Sequence, residues 1–276
     1  MPRAALQNPQ DPRLRPFLSL KDRDVRRETG LFLAEGEHVV RRAFESGLRV
    51  RSVLVVESKV DRVEAMIAEA PQEAVGGGVE VLVCSKEVIE ASVGFQMHQG
   101  IIAAAQPPPE DAQSLALAGV LAAGQTLVVC PEITNVDNLG LLVRVCAGLG
   151  VGAMVLGPRC ADPWYRRAVR VSMGAVFRLP MVRLENLDAG LDRLSREHGY
   201  ELVATVTDSD AEPLRAAEPG GLSAARRAVL LGSEGYGLPP EVVGRCDRRV
   251  RIPMHHDVDS LNVAVAAGIV VHHFVG

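Results

Sequence analysis

Three polar groups of residues interrupt apolar stretches of this chain, and each has a composition suited to chemistry. The first is Asn135-Val-Asp-Asn138-Leu-Gly140-Leu-Leu-Val-Arg144, which follows a short apolar strand and leads into a helix. Arg144 falls inside the apolar run 141–146, where a charge needs a partner or a site. A capping asparagine and a snorkelling arginine would serve structure alone, and on this segment the two readings stand level. The second is Leu230-Leu-Gly232-Ser-Glu234-Gly235-Tyr-Gly237-Leu-Pro-Pro240, a strand entering a glycine loop and then a proline-led helix. Such a loop lets backbone amides approach a ligand closely. It has neither the Gly-Lys-Ser/Thr of a phosphate loop nor the glycine order of a dinucleotide fold. Glu234 is the residue that a simple turn would not require. The third is Ile252-Pro-Met254 followed by Ser260-Leu-Asn262-Val. Ser260 can cap a C-terminal helix, which leaves Asn262 in the first turn without a structural reason.

The elements that must position these groups are short apolar strands alternating with helices. In the C-terminal part the strands are expected at 126–130, 153–156, 202–205, 228–231 and 249–252. Helices are expected at 139–148, 163–173, 187–198, 239–245 and 260–274. This alternation predicts an α/β fold with a mainly parallel sheet covered on both faces, and such sheets gather ligands at the carboxyl ends of their strands. Three consecutive prolines at 107–109 mark a linker, drawn here over 106–120. It separates a domain over 1–105 from one over 121–276. The N-terminal part reads as a small α/β layer domain. Its helices are expected at 32–46, 60–70 and 86–91, and its strands at 50–56, 79–84 and 100–105.

The chain has 276 residues, of which 47% are hydrophobic and 23% charged, with a formal charge of −4. Aromatic residues make up only 4%, which argues against a broad base-stacking platform. Basic residues cluster locally over 1–51, 159–178 and 245–251, as solvated faces or as surfaces that track phosphates. The five cysteines include no Cys-x-x-Cys pair, so neither a disulfide framework nor a zinc site is expected, and a reducing compartment is. His255-His256 with Asp257 and Asp259, and His272-His273, are the other candidate ligands; no metal is expected, because adjacent helical residues diverge by about 100°. The N-terminus lacks a signal peptide's apolar core, and no apolar run reaches the ~18–20 residues of a membrane span. A soluble, cytoplasmic protein is expected.

Taken in order, Asn138-x-Gly140-x-x-x-Arg144, Gly232-Ser-Glu234-Gly-x-Gly237-Leu, and Ile252-Pro-Met254 with Ser260-Leu-Asn262-Val resemble the three motifs of the SpoU–TrmH family, RNA ribose 2′-O-methyltransferases that use S-adenosyl-L-methionine. Arg170-Val-Ser172-Met-Gly174-Ala also matches the family pattern. The run 19–28 with Phe32-Leu-Ala-Glu35-Gly36, and His98-Gln-Gly100, resemble its accessory substrate-binding domain, which is similar to small ribosomal-type RNA-binding domains. The resemblance implies a C-terminal SPOUT domain closed by a trefoil knot, a homodimer that builds each site, and RNA as substrate, ribosomal RNA before transfer RNA. Gly232, Ile252, Leu261, Thr205 and Met254 would then hold the cofactor. Asn138, Glu234 and Asn262 would frame the acceptor ribose, with Ser260 supporting that frame. Arg144 would bind an RNA phosphate and orient the hydroxyl, since a guanidinium rarely gives up a proton. Lys21, Arg23, Arg26, Arg27, Arg166 and Arg170 would contact RNA. The chain departs from the family in having Val136-Asp137 where Asp-Pro is common, and the spacing to Gly140 and Arg144 favours Asn138 over Asn135. The alternatives are a transfer-RNA 2′-O-methyltransferase, or a catalytically silent RNA-binding relative that should have lost one of these polar residues.

Overall fold

The computed structural model describes residues 3–17, 26, 28–93, 99–214, 226–233, 235–256 and 258–275. The chain divides into two compact units, one of Met1–Pro108 with Pro163–Arg178 and one of Pro109–Asp162 with Leu179–Gly276.

The first unit is built on a five-stranded mixed sheet, with β1 (Arg3–Leu6), β2 (Phe32–Glu35), β3 (Val50–Val56), β4 (Glu80–Cys84) and β5 (Ile101–Ala105) in the order β1-β4-β3-β5-β2. β1 and β3 run parallel to β4, while β5 is antiparallel to both β2 and β3. All five residues of β5 are buried, as a central strand covered on both faces requires. Helices α1 (Glu37–Glu45), α2 (Val60–Glu69), α3 (Gln72–Val75) and α4 (Lys86–Val93) complete the unit. The expected helix over 32–46 is instead β2 followed by α1. Val39, Val40, Ala43 and Phe44 do form the buried stripe of α1. Gly36, at φ +98°, breaks the chain ahead of it, leaving Phe32, Leu33 and Ala34 extended and buried.

The excursion Pro163–Arg178 contributes α7 (Arg166–Val171) to this unit. Trp164 and Phe177 close on Phe32, with ring centroids 4.9 and 5.5 Å away. Glu35, only 6% exposed on β2, receives Arg166 at 3.1 Å and Arg170 at 3.9 Å. No local pattern in the sequence signals a buried carboxylate whose partner Arg166 lies 131 residues away.

The second unit carries a seven-stranded sheet in which every pairing is parallel. Its strands are β6 (Leu127–Cys130), β7 (Ala153–Leu156), β8 (Met181–Arg183), β9 (Glu201–Thr205), β10 (Glu212–Pro213), β11 (Arg227–Leu230) and β12 (Arg248–Arg251). They are ordered β10-β12-β9-β11-β6-β7-β8. Helices α5 (Glu110–Ala123), α6 (Val136–Gly148), α8 (Leu187–Arg196), α9 (Pro240–Val243) and α10 (Val263–Val275) accompany it. Leu127, Val129, Leu202, Ala204, Ala228 and Leu230 belong to its main core cluster, with Leu191, Leu194 and Tyr200 packed against them. Most of the expected linker over 106–120 is therefore helix. The prolines end at Pro109, which serves as N-cap of α5 because its fixed φ suits a helix start. The short edge strands β8 and β10, together with β1 and β2, escaped the sequence reading.

Removing the Glu35 carboxylate leaves Arg166 facing a hole while its side chain, 27% exposed, retains some solvent. Glu35→Ala should cost about 3 kcal/mol or somewhat less, read as a lowered unfolding midpoint of the first unit.

Candidate active site

The carboxyl ends of the central strands and the starts of α6 and α10 meet in the second unit. The N-cap of α6 is Asn135, whose Oδ1 accepts hydrogen bonds from the backbone N–H groups of Asp137 (2.9 Å) and Asn138 (3.2 Å). Asn138 is thereby released from the capping role and lies in the first turn, 7% exposed. Asn262 stands just ahead of α10, its Oδ1 accepting from the Ala264 N–H at 3.0 Å. Ser260 was expected to cap this helix and does not. α10 begins at Val263, so the residue just before it, Asn262, is placed to cap, and Ser260 is exposed two residues upstream.

Capping fixes the orientation of the Asn262 amide, and its Nδ2 then donates to Asn138 Oδ1 at 3.1 Å across 124 residues of sequence. Two of the residues expected to frame the ribose are thus joined directly. Glu234, the third, lies outside the described residues.

Thr205, Gly232, Ile252, Met254 and Leu261, the five residues expected to hold a cofactor, line one cleft of about 930 Å³, as does Ser260. Leu231, Leu238 and Val243 add apolar wall. The Thr205 hydroxyl is engaged with the Leu230 carbonyl at 2.7 Å, so this residue offers the cleft its backbone and methyl group. Gly232, Ser233 and residues 235–238 line the same cleft. A Cβ on Gly232 would fall 2.2 Å from the Gly237 carbonyl carbon and 2.4 Å from the Leu238 nitrogen, so no side chain is admissible there. A second cleft of about 640 Å³ holds Asn138, with Ile133, Thr134, Asn135 and Glu241. Ser233, Gly235, Tyr236 and Gly237 line both, so one loop is shared by the two spaces.

A brace absent from the sequence reading holds the floor of the second cleft. Cys160 Sγ donates to the Cys130 carbonyl (3.0 Å) and accepts from the Ile133 N–H (3.2 Å). The Ala161 N–H donates to the Ile133 carbonyl at 2.8 Å, and a Cβ on Gly157 would meet the Pro131 oxygen at 2.0 Å. Arg183 of β8 donates to the carbonyls of Gly157, Pro158, Cys160 and Ala161 at 2.8–3.3 Å. The only sequence signal for this brace is an arginine in an apolar strand. Burial pushes the thiols of Cys130, Cys146 and Cys160 up, that of Cys146 to about 12, so these cysteines stay protonated and serve structure.

Arg144 lies in neither cleft. It is exposed on α6, and no hydrogen bond or ion pair engages it among the described residues. Lys21, Arg23 and Arg27 lie outside the described residues, and Arg26 is half-buried. Arg166 is held by Glu35 and Arg170 approaches the same carboxylate, so much of their charge is answered within the first unit. Asp257 also lies outside the described residues, and among those described no group of three His, Cys, Asp or Glu side chains is placed to hold a metal ion.

Asn262→Asp keeps an oxygen to cap α10 but removes the donor to Asn138. The midpoint of unfolding should move by about 1 kcal/mol, while catalytic turnover falls at least tenfold. Turnover equal to that of the unmodified chain would show that the amide contact only supports the fold.

Residues 125–272 match the model of the SpoU rRNA methylase family, and residues 11–103 match that of the MRM3-like substrate binding domain. An uncharacterized tRNA/rRNA methyltransferase of Mycobacterium bovis is 37% identical over 95% of this chain and 88% of its own. The 23S rRNA (guanosine(2553)-2′-O)-methyltransferase RlmP of Bacillus subtilis is 26% identical over 98% and 99%. The AdoMet-bound rRNA methyltransferase from Sinorhizobium meliloti superposes with a TM-score of 0.77 at 25% identity, covering 98% of this chain and 97% of that one. Among the described residues no helix is long and apolar enough to cross a membrane. With its catalytic-domain match spanning more than half of the chain and full-length relatives on both sides of it, this protein belongs to the SpoU rRNA methylase family.

Proposed function

We propose that this protein transfers a methyl group from S-adenosyl-L-methionine to a ribose 2′-hydroxyl of RNA, with large-subunit ribosomal RNA as its substrate class. The observation that carries this reading is the convergence of the five expected cofactor-holding residues on one cleft, next to a second cleft that holds Asn138. The first cleft suits the cofactor. It lies within the roughly 300–1,000 Å³ of small-molecule sites, its walls mix apolar with polar groups, and Gly232 lets backbone close where a side chain would collide. Gly232, Ile252, Met254, Leu261 and Thr205 would hold the group through backbone and apolar contact. When bound, it supplies a methyl group on a cationic sulfonium.

The remaining work falls to the chain. Asn138 and Asn262, locked amide to amide, would orient the acceptor ribose with Glu234, and Ser260 would support the turn that carries Asn262. A pocket that sheds water favours a reaction in which nucleophile and sulfonium neutralise one another. The hydroxyl proton would pass to a phosphate oxygen or water, with Arg144 holding the phosphate as a fixed cation. The trefoil knot and cytoplasmic location belong to the same reading, which rests there on family membership.

The position of Arg144 supports a homodimer. α6 and α10 run side by side in the same direction: Asn138 meets Asn262, and Val145 lies 3.8 Å from where a Cβ on Gly268 would sit. Their outer face shows Leu141 (37% exposed), Val265 (53%) and Ile269 (42%) beside Arg144. A second copy seated on this face would cover the apolar side chains, and Arg144 of the partner subunit would reach the cleft that a subunit's own Arg144 does not line. The N-terminal match to a substrate-binding domain, and the ribosomal substrates in the relatives' names, favour ribosomal RNA over transfer RNA.

Labelled methyl transfer to total RNA from a strain lacking the gene tests the reaction. Label in 2′-O-methyl nucleotides of large ribosomal RNA is expected. Label in transfer RNA would keep the chemistry and overturn the substrate, and absence of both label and cofactor binding would overturn the enzyme. For the dimer, sedimentation should give twice the chain mass for the unmodified protein and a single chain for Ile269→Asp, with turnover lost; a fully active Ile269→Asp monomer would refute the shared site.

A further inference from the structure

The chain holds six phenylalanines, three tyrosines and one tryptophan, and nearly all of those described are inside. Phe17, Phe32, Phe44, Phe177, Phe274, Trp164 and Tyr200 are each less than 9% exposed. Tyr236 is 97% exposed. It makes no hydrogen bond or ring contact among the described residues, so the fold gains nothing from an aromatic ring at this position. A bare ring in an aromatic-poor protein points to a ligand that covers it.

Its setting indicates which ligand. Tyr236 lies between Gly235 and Gly237 in a turn closed by paired backbone hydrogen bonds, Ser233 N–H to the Gly237 carbonyl (3.1 Å) and Gly237 N–H to the Ser233 carbonyl (2.9 Å). Gly237 supplies the positive φ (+67°) that the closure needs. The turn is shared by the two clefts, and Tyr236 lines the one holding Asn138 as well as the one holding Gly232. The loop's inner backbone faces Gly232 closely, whereas the ring stands almost wholly in solvent, where a large ligand arrives.

We propose that Tyr236 is a positioning residue on which an unstacked base of the RNA rests when its ribose enters the acceptor cleft. This rests on the RNA methyltransferase reading above. Single-stranded RNA offers flat, splayed bases that stack on a tyrosine face irrespective of their hydrogen-bonding edges. One ring here does what a broad aromatic platform does elsewhere, so the low aromatic content is no obstacle. Stacking would settle the angle at which the nucleotide meets Asn138 and Asn262, and Tyr236 would contribute to binding without taking part in the transfer.

The experiment compares the unmodified protein with Tyr236→Ala, Tyr236→Phe and Tyr236→Trp. It measures kcat and KM on the methylated RNA, S-adenosylmethionine affinity by calorimetry, and mass by sedimentation. Tyr236→Ala should raise the RNA KM roughly tenfold or more, at unchanged cofactor affinity and mass. Tyr236→Phe and Tyr236→Trp should restore the unmodified KM, because both keep the π face. An unchanged KM in Tyr236→Ala overturns the proposal, as does a parallel loss of cofactor affinity, which would assign the ring to the first cleft, or of dimer mass, which would assign it to the partner. In each of those cases the unmodified enzyme remains active and the RNA methyltransferase reading stands. An unmodified protein that binds the cofactor but methylates no RNA would overturn that reading, and this role with it.

Discussion

A single amide-to-amide hydrogen bond between Asn138 and Asn262 sets the geometry on which the rest of the second unit depends. It can form only because each asparagine is oriented by a different local device. Asn135 takes over the cap of α6 and frees Asn138, while Asn262 caps α10 with its oxygen and so turns its nitrogen outward. Two helices then run side by side, offset by about a turn. Their starts lie near the carboxyl ends of the parallel strands, where dipoles and backbone donors already favour ligands. Beside this junction the backbone of Gly237 and Leu238 closes on Gly232, which has no Cβ to keep it off.

Arginine, which replaces lysine almost throughout this chain, is used here for fixed geometry. The guanidinium of Arg183 spans four carbonyls of one loop, a task suited to a planar fork of donors and beyond a lysine ammonium. Over 245–251 the apparent basic cluster is answered by acids on neighbouring elements: Arg245 by Asp188 and Asp192, Arg248 by Glu212, Arg249 by Asp210. The side-chain hydrogen bond from Arg249 holds the Asp210 carboxyl below its ordinary range. Charge counted along the sequence therefore overstates the positive field available to RNA, and Arg144 stands out as a described arginine with no such answer.

The sequence exposes what is local and hides what is not. β7 is an aliphatic run between Gly152 and Gly157, and β3 is rich in valine, and the limits of both read directly. The motif asparagines and glycines were visible by type and spacing, as was the convergence expected at the strand ends. β2 was hidden because its Phe-Leu-Ala was read together with the helical stripe that follows, whereas the positive φ of Gly36 separates the two. The order of caps was misjudged for a related reason. Serine and asparagine are about equally good at N-caps, so the choice between Ser260 and Asn262 turns on where the helix starts. The brace of Cys160 and Arg183, and the ion pair of Glu35 with Arg166, join residues 23 to 131 positions apart, and no periodicity carries such information.

The strand order has a consequence for how this chain must be made. β6 pairs on one side with β7, which follows it closely, but on the other with β11, where Leu127 faces Ala228. On a ribosome, β6 is synthesised long before its second neighbour exists, and its apolar edge must wait for about 100 further residues. The first unit waits as well, because α7, which supplies Arg166 to Glu35, is encoded within the span that interrupts the second. Neither unit can finish folding from its own end of the chain. Completion of the first is tied to the emergence of Pro163–Arg178 and that of the second to the last third, so a truncated or stalled product should display open sheet edges to chaperones and proteases.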